Sequence, residues 1–119
     1  MLLISCKQEA NSKKDAEIKF SKTSHNFGKV ELNNSVSHGF RFFNPGKDRL
    51  VILDISTSCG CTVADWPREP LKKGDKEQIN VAFDASVPGK FQKSVAVFYN
   101  GPDSPDTLIV KGKVERKEN

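Results

Sequence analysis

The sequence is poor in the residues that build active sites and membrane spans. Its 119 residues hold two His, three Cys, one Trp, one Tyr and one Met. No apolar stretch approaches the roughly 18 residues of a membrane helix. Ser is plentiful, but none sits in a nucleophile elbow. Asp54, Asp65 and Asp84 fall near expected strand ends, where carboxylates are ordinary turn residues. No glycine-rich loop cradles phosphate. The expectation is therefore a protein that is not an enzyme and carries no cofactor. Trp66 and Tyr99 face eight Phe, a balance that suits a Phe-built core better than an aromatic binding platform. Neither sign of charge dominates: the formal net charge is +4. Lysines are interleaved with acids along the chain, and only Lys13-Lys14 and Lys72-Lys73 are adjacent pairs. Clustered Lys/Arg with aromatic partners, the footprint of nucleic-acid binding, is missing, so no nucleic-acid partner is expected.

The chain opens Met1-Leu2-Leu3-Ile4-Ser5-Cys6. Leu3-Ile4-Ser5-Cys6 resembles the lipobox of bacterial lipoproteins, in which a small residue precedes the thiol that receives diacylglycerol. A full signal carries a basic stretch and an apolar stretch of roughly 7–15 residues first. Residues 1–17 are therefore read as a truncated lipoprotein signal and a flexible tether, with Cys6 as the lipidation site. Lys7 to Glu17 holds no large apolar residue, and a coil of that length spans roughly 18 Å. The location implied is the bacterial cell envelope, lipid-anchored, in the periplasm or at the cell surface. The membrane is then one partner, and an envelope protein is the expected other. Residues 115–119 read as a charged, fraying tail.

Between the tails the period is two. Val36, His38, Phe40 and Phe42 alternate with Ser37, Gly39 and Arg41. Asn44-Pro45-Gly46 then marks a turn. Leu50 to Ile55 is nearly continuous in apolar residues, as in a strand buried on both faces. Ile79, Val81 and Phe83 form another face, as do Val95, Val97 and Tyr99, and finally Leu108, Val110 and Val114. Ile18–Phe20, Phe27–Val30 and Val63–Trp66 supply shorter strands. No window shows a helical period. About seven antiparallel strands over residues 18–114, with turn signals every roughly 8–15 residues, predict an all-β, Ig-like β-sandwich. Phe40, Phe42, Ile52, Val81, Phe83, Val95 and Val97 are its expected core.

Three blocks carry a resemblance: His25-Asn26-Phe27-Gly28-Lys29-Val30, then Val36 through Phe40-Arg41-Phe42-Phe43-Asn44-Pro45-Gly46, then Ser58-Cys59-Gly60-Cys61-Thr62. They resemble family 1573 of the domains of unknown function, small extracytoplasmic bacterial proteins. The resemblance implies an Ig-like fold, similar to the sandwich modules of ciliary and sperm proteins, and no established reaction. One departure is Asn33-Asn34, where a turn Gly is expected; Asn tolerates the left-handed region next best, so the turn survives.

Cys59-Gly60-Cys61 is the chemically suggestive segment, and three readings stay open. The sulfurs are bridged or form a redox pair. Closing so small a ring removes only about 1.6 kcal/mol of chain entropy, so such a bridge is a weak staple. Alternatively, the thiols bind copper or zinc, with His25 and His38 as completing ligands. Or they are small buried hydrophobes without chemistry. Function is accordingly read as that of an envelope lipoprotein serving as a binding or assembly module. The rival is a thiol-disulfide or metal-handling protein built on Cys59 and Cys61.

Overall fold

Alternation between apolar and polar residues decides which segments become strands, and the computed structural model, described over residues 16–117, follows it closely. Eight strands form in chain order: β1 (Lys19–Phe20), β2 (Ser24–Glu31), β3 (Val36–Phe43), β4 (Ile52–Thr57), β5 (Thr62–Asp65), β6 (Lys76–Phe83), β7 (Gly89–Tyr99) and β8 (Asp106–Glu115). They make two sheets of four strands, ordered β1-β3-β6-β5 and β2-β8-β7-β4. This is the expected sandwich, and the short strand expected at Ile18–Phe20 forms as the two-residue β1.

All seven expected core residues are buried, from Val81, Val95 and Val97 at 0% exposure to Ile52 at 6%. The main cluster gathers Phe40, Phe42, Leu50, Ile79, Val81, Val95, Val97, Leu108 and Val110 between the sheets. A smaller cluster, Val30, Phe83, Ala85 and Val114, closes one end.

Three expectations need correction. The strands were expected to be antiparallel, but β2 pairs β8 in parallel, with His25 beside Val110 and Val30 beside Val114. The two strands come from opposite ends of the chain, so no tight hairpin constrains their direction. Leu50–Ile55 is not buried on both faces: Leu53 is 61% exposed. β4 is an outermost strand whose register shifts between Ile52 and Asp54, and this bulge turns Leu53 to solvent. The domain also extends past both expected limits. Ala16, read as tether, is buried, and a Cβ on Gly101 would run into its carbonyl oxygen. Glu115, read as tail, pairs with Glu31, and its carbonyl accepts the Leu32 N–H at 2.8 Å.

Two turns deserve their residues. Asn33 holds φ 65°, as an Asn in that turn can. Asn44 does more than start a turn. Its side chain is fully buried. Nδ2 donates to the carbonyls of Asp48 and Leu71, both at 2.9 Å, and Oδ1 accepts the Gly46 N–H at 2.9 Å.

Candidate functional site

The Cys59-Gly60-Cys61 segment lies where the chain leaves β4 in one sheet and enters β5 in the other. Both sides are pinned. Ser58 N–H donates to the Ser94 carbonyl at 3.0 Å, and Ser94 N–H donates to Ser58 Oγ at 3.0 Å. Asp84 N–H donates to the Cys61 carbonyl at 3.0 Å, and Thr57 Oγ1 donates to that of Cys59 at 3.2 Å. Thr62 N–H reaches back to the Cys59 carbonyl at 3.3 Å, closing a turn. In an extended strand the two α-carbons would stand about 6.6 Å apart. Here they are 5.3 Å apart, and the two sulfurs sit at disulfide distance.

The sulfurs have unlike surroundings. Cys61 N–H donates to Cys59 Sγ at 3.2 Å. The hydroxyl of Thr62, a residue only 4% exposed, lies 3.8 Å from Cys59 Sγ and 3.9 Å from Cys61 Sγ. Cys61 packs against the Val30–Phe83 cluster. Both cysteines are half-buried. Gly60 lends the bridge no special backbone freedom. Its φ lies outside the left-handed region, and a Cβ there would meet nothing within 4 Å. The turn hydrogen bond, not glycine freedom, brings the sulfurs together.

His25 and His38, the other candidate ligands, come together without the cysteines. β2 and β3 belong to different sheets, and both imidazoles point between them. They stack with centroids 3.7 Å apart and planes at 9°. Phe27 meets His25 edge-on, and Phe40 meets His38 edge-on, each at 4.7 Å. Burial holds His38 below the ordinary imidazole value of 6.5, helped by the nearby charges of His25 and Lys22. Stacked rings present faces to each other, whereas a metal needs ring nitrogens converging on a point. Among the described residues, no group of three or more His, Cys, Asp or Glu side chains could hold a metal ion. Cys6, the expected lipidation site, lies outside the described residues.

Register also gathers residues that chain order scatters. Lys29 of β2 is directly opposite Lys113 of β8, which is directly opposite Lys90 of β7. Lys111 follows in the next row, between Asn26 and Gln92. The alternating pair Lys111 and Lys113 was visible as one strand face. Lys29 joins it only through the parallel pairing, which nothing in the sequence announces.

Known proteins place this geometry. No curated protein matches the chain by sequence. A crystal structure of a protein of unknown function from Porphyromonas gingivalis W83 superposes with TM-score 0.77 at 17% identity, covering 94% of this chain and 53% of that one. The chain thus spans about half the length of that protein. The ASH/PapD-like domain 7 of human CEP192 gives TM-score 0.71 at 11% identity, covering 89% of each chain. A chaperone–tip adhesin complex of CFA/I fimbriae biogenesis gives 0.61 at 14% identity, covering 87% of this chain and 58% of that one. At such identities the likeness is one of fold, an Ig-like and PapD-like sandwich. The sequence itself matches a family model over residues 18–114, nearly the whole sandwich. By that match the chain belongs to the family described as protein of unknown function, DUF1573.

Proposed function

We propose that the chain is a lipid-anchored binding or assembly module of the bacterial cell envelope. It is held to a membrane through Cys6 and presents its sandwich to an envelope protein. The observation that carries the binding role is the β4–β5 flank. Both strands are outermost in their sheets. Leu53, Val63 and Phe98, three of the exposed large apolar side chains, lie on β4, β5 and the neighbouring β7. An unpaired strand edge beside apolar side chains is what an extended partner segment can pair with. The fold likeness to a fimbrial chaperone–adhesin complex supports assembly as a role for such a sandwich. The anchor rests on Leu3-Ile4-Ser5-Cys6.

A photo-crosslinking residue placed at Leu53 in the producing cell should give one discrete adduct with an envelope protein. The same residue at exposed Ser24 of β2, on the opposite edge of the sheet from β4, should not. Equal adduct patterns would refute the flank. Labelled palmitate should enter the full precursor and not its Cys6→Ser variant; equal labelling would remove the anchor.

A thiol-disulfide role is a second reading, favoured by the Cys61 N–H that Cys59 Sγ accepts. Attack by an external thiolate on Cys61 Sγ breaks the S–S bond, forms a mixed disulfide there, and releases Cys59 as the thiolate. A donor aimed at Cys59 Sγ stabilises that leaving group. Mass analysis after brief exposure to glutathione should find the adduct on Cys61. No adduct on either cysteine would sink this reading.

A further inference from the structure

Inward positions of β8 are Leu108, Val110 and Val114, so Lys111 and Lys113 stand on the outer face of the sheet. Lys29 and Lys90 share that face, since each is a register partner of Lys113. Neighbouring strands lie about 4.8 Å apart, so three lysines issue from a strip about 10 Å across, with Lys111 about 6.6 Å along the strand. All four are exposed and line one shallow depression with Gly28 and Gly112. Arg116 and Lys117, both exposed, continue the chain beyond β8. Among the described residues, the one ion pair is Lys113 Nζ to Glu115 Oε2 at 3.3 Å, itself exposed.

Like charges placed directly opposite one another destabilise a sheet. Two such pairs in one row, Lys29–Lys113 and Lys113–Lys90, make no sense as a stabilising device. Even with Glu31 opposite Glu115 in the next row of the same face, the four lysines leave this patch positive on a chain whose net charge is only +4.

We propose that this face docks on the phosphate-bearing headgroup surface of an anionic bilayer. The four side chains are all Lys, compact hydrated charges that respond to field more than to geometry. An Arg fork, suited to one carboxylate, is absent from the row. Phe91 lines the same depression, but it is half-buried and stacked on Phe83 with centroids 3.9 Å apart, and the exposed Phe98 lies at the far end of β7, so no free base-stacking ring stands beside the lysines. Their arrangement has two dimensions, across three strands and along one. It matches a layer of headgroup charge, whereas an extended acidic segment would follow a single row. This inference fits the envelope location proposed above but does not need the lipid on Cys6.

The test uses the full 119-residue chain made without lipid, so failure of the anchor leaves it untouched. The chain is floated with vesicles of phosphatidylcholine alone, or with about one-third phosphatidylglycerol added. It should rise only with the anionic vesicles and be released by about 0.5 M salt. Lys29→Gln/Lys90→Gln/Lys113→Gln should lower partitioning on the order of a hundredfold. The control Lys47→Gln/Lys72→Gln/Lys73→Gln removes the same charge at the other end and should stay within about threefold of the parent, while both variants melt like it. Flotation with neutral vesicles, no flotation at all, or equal loss in both variants would overturn the proposal. So would retention on polyglutamate without vesicle binding, which would replace the bilayer with an acidic polypeptide. Should a triple variant not fold, the salt and lipid dependence of the parent chain decides.

Discussion

The two ends of the sandwich are built on different principles. At one end Asn44 is sunk among apolar side chains and satisfies three backbone groups at once. Beside it Leu50 and Leu71, both buried, exchange a pair of backbone hydrogen bonds at 2.9 and 2.8 Å. Asn44 N–H and carbonyl are bonded in turn to Asp75 and Gly74. The other end holds the small Val30–Phe83 cluster, a half-buried sulfur pair, a stack of two imidazoles and a row of like charges. It also holds Ala85, buried at φ 55°, a conformation that costs a non-glycine residue roughly 1–2 kcal/mol. One end saturates its polar groups and the other leaves chemistry exposed. Stability lives at the first, which frees the second to carry groups that a purely structural end would lose.

The most direct way to break this contrast is Asn44→Ala. It leaves the Asp48 carbonyl and the buried Gly46 N–H without partners, strips the Leu71 carbonyl to the Leu50 N–H alone, and empties the buried site of the amide. A cost of about 3–5 kcal/mol is expected. Chemical denaturation measures it; a loss below about 1 kcal/mol would mean the Asn44 end is not the stable one.

Much of this fold was legible because period-two alternation is a local signal. Phe40-Arg41-Phe42 and Ile79-Asn80-Val81 state which face is inward without reference to any neighbour. What was not legible depended on pairing. Leu53 faces solvent because β4 is outermost and bulged, and an apolar run cannot announce either fact. Lys29 meets Lys113 through a parallel pairing between strands that lie at opposite ends of the chain. Asn44 reads as a turn residue, and only the arrival of Leu71 beside it makes a buried hub. At the candidate site, Cys59 and Cys61 were visible as a pair, but the turn that brings them to 5.3 Å is a hydrogen-bond fact. The His25–His38 stack joins two sheets and was equally hidden.

The same contrast predicts a small effect at the sulfur end. Cys59→Ser/Cys61→Ser should fold and cost under about 2 kcal/mol, since the ring closed is so short. A loss as large as that of Asn44→Ala would erase the difference between the ends. Smaller still is the pH response of the imidazole stack. Folding holds His38 below 6.5, so the unfolded chain binds its proton more readily. Stability is then complete above that unfolded value and falls as pH drops through it toward the folded value. Denaturation midpoints at about pH 8 and about pH 5 should differ more for the parent than for His38→Phe, which keeps a stacked ring without the charge. Equal differences would detach the stack from the pH response.

Gly60→Ala should have the least effect, and its smallness is informative. The resemblance-bearing Cys-Gly-Cys-Thr block invites the view that glycine is required for the sulfurs to meet. The geometry says otherwise: φ at Gly60 is one that any residue adopts, and the space where a Cβ would stand is open to 4 Å. The turn is held instead by Thr62 N–H on the Cys59 carbonyl and Asp84 N–H on that of Cys61. Alanine leaves both bonds intact. Stability should move by no more than about 0.5 kcal/mol, and the bridge should still form, as read by mass after alkylation with and without reductant. If the fold is indifferent to this glycine, its place between the cysteines answers to something outside the fold. An incoming thiol or a partner segment approaching the sulfurs would feel a methyl group that the domain itself does not. A slower exchange with glutathione in a Gly60→Ala chain of unchanged stability would locate that approach, and an unchanged rate would return Gly60 to the ordinary residues of a turn.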